Sequence, residues 1–141
     1  MRYLLFGLFL LFASILRGQS TPMVFRVSAP EVRQLPSGAQ WMVSLHDAAG
    51  NLIKQFPFSA KSLNQDLAIP AQKFGSYTAS FYLDLNANNS LDKGLFGQPL
   101  EPYAFSNQAR NMFSRPSLES QRFEFNGQPI TVKLEYHFGG E

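Results

Sequence analysis

The chain predicts an all-β fold, an antiparallel two-sheet sandwich of about seven strands with a long capping loop. Three observations carry this. Apolar and polar residues alternate with period two in a series of short segments, turn residues stand at each break, and no apolar stripe of helical period is long enough to matter. Fourteen Phe supply the core that two facing sheets require, each aromatic burying on the order of 150–250 Å².

The first element is not a strand. Arg2 precedes an unbroken apolar run from Tyr3 to Ala13, with Ile15 and Leu16 close behind and then Gly18, Gln19 and Ser20. That run is shorter than the roughly 20 residues of a spanning helix, so residues 1–19 read as a secretory signal peptide ahead of a single domain at 20–141. The expected location is periplasmic or extracellular, with no stable membrane insertion after cleavage. The chain has no cysteine, which excludes lipid attachment at a lipobox as well as disulfides. Removal of Arg2 and Arg17 leaves ten basic residues against ten acidic ones, and no basic run remains that would neutralise phosphates. Nucleic acid is therefore not an expected partner.

Strands follow in order. Met23, Phe25 and Val27 face one way, with Val24 and Arg26 facing the other. Pro30, Pro36 and Gly38 mark a loop, after which Trp41, Val43 and Leu45 alternate with Met42, Ser44 and His46 up to the turn at Asp47–Asn51. Leu52 to Phe58 is a third strand, which Pro57 places at an edge. A short fourth carries Leu67 and Ile69 and ends at Pro70. In the fifth, Tyr77, Ala79, Phe81 and Leu83 point inward while Thr78, Ser80, Tyr82 and Asp84 point outward. Gln121–Phe125 and Ile130–Phe138 close the domain, joined by Asn126-Gly127, a pair that favours a tight hairpin. The expected core includes Phe81, Phe123, Val132 and Leu134, with Tyr82, Glu124 and Lys133 outside it.

Residues 95–118 lack a strand pattern and carry Pro99, Pro102 and Pro116. Loops of that length are usually functional or disordered. Phe96, Tyr103, Phe105 and Phe113 need burial, so the stretch is expected to be an ordered cap over one end of the sandwich, with a helical turn at Asn107–Phe113 behind Ser106.

The most specific constellation lies between the fifth strand and this cap. Asp84, Asn86, Asn88, Ser90 and Asp92 place an oxygen-bearing side chain on every second residue. Such a loop can wrap a hard cation, since calcium takes six to eight oxygens. Asp84, Asn86 and Asn88 hold the first, third and fifth positions of an EF-hand-like loop, a carbonyl at Ser90 the seventh and Asp92 the ninth; Glu101 is a candidate further ligand. Asn89 replaces the turn glycine and Leu95 the bidentate Glu, so affinity is expected in the weak range of about 10⁻⁴ to 10⁻³ M. The competing reading is a metal-free turn, because Asp and Asn side chains bond their own backbone. Calcium is the one cofactor the residues point to.

No nucleophile motif, zinc-protease motif or glycine-rich phosphate loop occurs, and both histidines, His46 and His137, fall on outward strand faces as solvated residues. No catalytic residue is assigned.

Gly75-Ser76-Tyr77 before a strand, D-L-N-A-N-N-S-L-D over Asp84 to Asp92 and P-L-E-P-Y-A-F-S-N over Pro99 to Asn107 resemble the exported bacterial proteins of the domain-of-unknown-function 2141 family. The resemblance covers nearly the whole domain and implies no established activity. Its G-x-Y turn is similar to that of transthyretin-like sandwiches, so an immunoglobulin-like or transthyretin-like arrangement is implied. Ala87, Pro102 and Ala104 stand where that family usually has glycine. In a bacterium, as the resemblance implies, the sequon Asn88-Asn89-Ser90 would stay unmodified.

The expected function is that of an exported, non-enzymatic binding or structural module, its partner in the cell envelope or outside the cell. Two alternatives stand beside it. One is an extracellular hydrolase using Asp84, Asp92 and Glu101. The other is a small-molecule carrier, which requires a hollow between the sheets.

Overall fold

The alternating segments form eight strands in the computed structural model, which describes residues 19–137. They are β1 (Ser20–Ser28), β2 (Gln40–Asp47), β3 (Leu52–Ser59), β4 (Asn64–Lys73), β5 (Gly75–Asp84), β6 (Tyr103–Phe105), β7 (Phe123–Phe125) and β8 (Ile130–Lys133). One sheet has the order β4-β1-β8, and the other β3-β2-β5-β6 with β7 also paired to β5. The expected signal peptide lies, but for Gln19, outside the described residues. Among those described, no helix is long and apolar enough to cross a membrane.

The sandwich core is built as period-two patterning dictates. Met23, Phe25 and Val27 of β1 and Leu67 and Ile69 of β4 meet Trp41, Val43 and Leu45 of β2 and Ala79, Phe81 and Leu83 of β5. Phe25 packs edge-on to Phe81 with ring centroids 4.9 Å apart, a favoured aromatic geometry. The buried Trp41 indole donates to Gln65 Oε1 at 3.2 Å, so its polar edge is not left unsatisfied. As expected, Val132 and Leu134 are buried and Glu124 and Lys133 exposed. Pro57 does lie on an edge strand, β3.

Several expectations need correction. Asn126-Gly127 does not close a hairpin. β7 pairs with β5 of the larger sheet while β8 pairs with β1 of the smaller one, so the turn is an arch between layers. The β1–β8 pairing is parallel, Phe25 facing Ile130 and Val27 facing Val132, and the sandwich is thus not purely antiparallel. Regular pairing in β8 stops at Lys133. Beyond it, Leu134 N–H donates to Ser28 at 2.7 Å, and Glu135 exchanges hydrogen bonds of 3.0 and 3.1 Å with Tyr103, which ties the last segment to β6 across the open side. The remainder of the expected strand, Phe138, lies outside the described residues.

Pro70 does not end β4, which runs on to Lys73. β4 is an edge strand, where a missing N–H is tolerated, and the register with β1 shifts between Thr21 and Met23. Phe123 is only half-buried, its ring beside Tyr77, and Phe125 takes the interior position. Gln121 belongs to a four-residue helix, α1 (Leu118–Gln121), capped by Ser117, whose hydroxyl accepts from Ser120 N–H at 3.2 Å. The helical turn expected at Asn107–Phe113 is a single 3-10 turn, Ser106–Gln108. Ser106 does not cap it; its buried hydroxyl accepts from Ala79 N–H at 2.9 Å and donates to Gln121 O at 2.5 Å, extending the edge of β5 where β6 ends.

Candidate functional site

The outward face of β5 leads to two adjoining features, the oxygen-rich loop and a groove. Asp84 has the outward phase read from the alternation, yet it is 0% exposed, because the loop folds back over it. Its two oxygens accept from Asn88 N–H at 3.3 Å and Asn89 N–H at 2.8 Å. Folding back so tightly requires left-handed backbone, found at Ala87 (φ 57°) and Asn89 (φ 61°). Asn tolerates that region well and Ala does not, so Ala87 is the strained position. Asn86 and Asn88 carbonyls accept from the N–H two residues on, at 3.3 and 3.0 Å, and their amides donate to the two oxygens of Asp92 at 2.6 and 2.7 Å.

Glu101 joins this loop to the cap. Buried at 4% exposure, it accepts Leu85 N–H at 2.6 Å on one oxygen and Asp92 N–H at 3.1 Å on the other. Burial lifts its pKa above the usual carboxylate range, and repulsion from Asp92 and Asp84 adds to the rise; the two backbone donors oppose it. The same three carboxylates, after burial itself, raise the pKa of Tyr82. Among the described residues, none of the three forms an ion pair with Lys or Arg. Nor do any three acidic or histidine side chains converge at metal-ligand spacing there. Asp84, Asp92 and Glu101 are thus linked through the backbone and through their fields, while Asn86, Asn88 and Ser90 remain exposed around them.

Of the four cap aromatics expected to be buried, Tyr103 is buried and Phe105 half-buried, whereas Phe96 and Phe113 are not. Tyr103 and Ala104 pair with Tyr82 and Phe81 as strand β6, but Leu95, Phe96 and Phe113 are 97, 94 and 90% exposed, and Met112 is also exposed. Two arms, one around Phe96 and the other from Arg110 to Pro116, flank a groove of about 630 Å³ whose floor includes Ser80, Tyr82, Tyr103 and Phe105. Arg110 lies over the Tyr103 ring at 4.6 Å and Arg115 over the Phe105 ring at 5.3 Å. Lys93 also lines the groove. These cations were missed as site residues. The available signal was a stretch from Lys93 to Leu118 with three cations, Lys93, Arg110 and Arg115, and Glu101 as its sole carboxylate before the helix.

Neither histidine is a freely solvated residue. His137 is half-buried, its Nδ1 paired with Tyr103 Oη at 2.9 Å. His46 is half-buried with Nδ1 lacking a hydrogen-bond partner, and burial, reinforced by the Arg115 charge, lowers its pKa.

Residues 40–133, from β2 to the end of β8, match the family described as "Uncharacterized protein conserved in bacteria (DUF2141)". The chain belongs to this family. The match takes in the Asp84–Asp92 loop, Glu101 and both arms of the groove, whereas β1 precedes it. Membership in the domain-of-unknown-function 2141 family brings no activity with it. Comparison with curated proteins gives no match.

Proposed function

We propose that this chain is an exported, non-enzymatic binding module whose working end is the groove between the two arms of the cap. The observation that carries the reading is the groove itself. Its volume lies in the range of small-ligand sites, its floor is aromatic, and large apolar side chains stand exposed at its rim. Asp84, Asp92 and Glu101 are absent from its lining, which favours binding over hydrolysis by those carboxylates. The groove is on the outer face of the larger sheet, while the residues between the sheets form one cluster of buried apolar side chains; on this reading a ligand sits on the sandwich, not within it. Titration with the neutral fluorophore N-phenyl-1-naphthylamine tests this. Saturable binding that weakens in Phe96→Ser and Phe113→Ser is expected, and no saturable binding, or binding indifferent to both changes, would overturn it.

A second reading, weak calcium uptake by the Asp84–Asp92 loop, is favoured by the repulsion of Glu101 by Asp92 and Asp84, with no cationic partner for any of the three among the described residues. The donor set is all oxygen, which suits a hard cation. Because three carboxylates do not converge, amide and main-chain oxygens would supply much of the shell, in keeping with an affinity of about 10⁻⁴ to 10⁻³ M. At ten times a millimolar Kd, linkage raises stability by about 1.4 kcal/mol. Melting in 10 mM calcium chloride against sodium chloride of equal ionic strength should show a rise of several degrees. Asp92→Asn should abolish it; Asp84 is the poorer choice, since its amide would lose a backbone acceptor. Equal melting in the two salts would leave the loop as a hydrogen-bonded turn.

A further inference from the structure

The groove has a charge pattern as well as an apolar body. Lys93, Arg110 and Arg115 line it, and no Asp or Glu does. The two guanidiniums stand over the rings of Tyr103 and Phe105, whose centroids are 6.2 Å apart, so these exposed cations lie close to the aromatic floor. They differ in how far they are already engaged. Arg110 is 3.6 Å from Glu135 and donates to the carbonyls of Glu135 and Tyr136 at 3.3 and 2.9 Å. Arg115 has no carboxylate partner among the described residues. A guanidinium stacked on a ring keeps its in-plane N–H donors available to a planar oxyanion.

We propose that the groove binds a small amphipathic anion, an apolar body bearing one carboxylate or sulfonate. The apolar body lies between the exposed rings of Phe96 and Phe113, against the half-buried Tyr82 and Phe105, and the acid group meets Arg115. Charge complementarity decides the class. A neutral body would be served by the aromatic surfaces alone, and a cation would meet Lys93 and Arg115, neither of which has a carboxylate partner among the described residues, while the carboxylates whose field reaches Tyr82 lie outside the lining. The proposal rests on reading the groove as a binding site and adds the ligand's charge to it.

Two probes with the same aromatic framework separate these statements: 1-anilinonaphthalene-8-sulfonate, which is anionic, and N-phenyl-1-naphthylamine, which is neutral. Fluorescence titrations on the folded protein should show the sulfonate binding more tightly. Arg115→Gln should weaken the sulfonate about tenfold, the scale of one charge-assisted hydrogen bond, and leave the neutral probe unchanged. Arg115 is exposed, so the variant should fold, and an unaltered circular dichroism spectrum and melting point would verify this. Displacement of the bound sulfonate then names the source: displacement by naphthalene-2-carboxylate alone assigns an aromatic acid, by dodecanoate alone a fatty acid, and by both a site that reads only the shared chemistry. Equal affinity for the two probes, or a sulfonate affinity indifferent to Arg115→Gln, would overturn the anion assignment while leaving the binding site in place. Absence of binding by either probe would overturn both.

Discussion

The interior of the sandwich and the groove on its outer face are built from the same residue types and reach opposite outcomes. Phe25, Trp41, Phe81 and Phe125 lie on strands of two facing sheets, where each pleat position finds an apolar neighbour from the other layer. Phe96 and Phe113 lie on arms that have a sheet on one side only and cations nearby, and their rings stay in water. Aromatic content alone therefore does not report burial. The partner layer decides it, and where that layer is absent the same side chains become surface available for recognition.

The sharpest way to break this contrast is to remove a ring from each region. Phe81→Ala should cost about 3–5 kcal/mol, combining lost transfer energy with a cavity beneath Phe25, as urea unfolding would measure. A loss below about 1 kcal/mol would mean that Phe81 does not belong to the close-packed region.

Next in size is the tie between loop and cap. Glu101→Gln keeps the shape but turns one acceptor into a donor facing Leu85 or Asp92 N–H, an unsatisfied backbone group worth about 1–3 kcal/mol. The change also removes a buried charge whose pKa is raised, so the observed loss should fall at the lower end of that range. A more stable Gln variant would show that relief of repulsion outweighs the two backbone bonds.

A smaller effect belongs to His46. Its folded-state pKa is lowered, so the unfolded chain takes up a proton first as pH falls, and stability is lost from its ordinary pKa near 6.5 downward. Wild type should therefore lose more melting temperature between pH 7.5 and 5.5 than His46→Gln does. Parallel curves for the two proteins would place His46 in ordinary solvent contact.

The smallest expected change sharpens the comparison most. Phe96→Ser and Phe113→Ser should alter stability by no more than about 0.5 kcal/mol, as for other exposed positions, although the residue type is that of Phe81. A cost near that of Phe81→Ala would mean that the arms close over the groove in solution.

Much of this architecture was legible from residue order. Period-two alternation gave the faces of Met23–Val27, Trp41–Leu45 and Tyr77–Leu83, since the pleat fixes side-chain direction locally. The oxygen spacing from Asp84 to Asp92 marked the loop, because Asx turns depend on neighbours two residues apart. Family membership was legible in the same motifs. Pairing partners were not. Nothing local to Asn126-Gly127 distinguishes a hairpin from an arch, and nothing in Ile130–Lys133 says that its neighbour is β1 in parallel. Nor does alternation along β5 reveal that Asp84, facing outward, is sealed by its own loop and that Glu101, across nine residues from Asp92, completes the seal. Those outcomes depend on which segments compete for the same strand edge and the same N–H donors. That competition is resolved only when the whole chain is packed, which is why the groove belongs to the tertiary structure, although the excess of cations over carboxylates from Lys93 to Leu118 stands in the sequence.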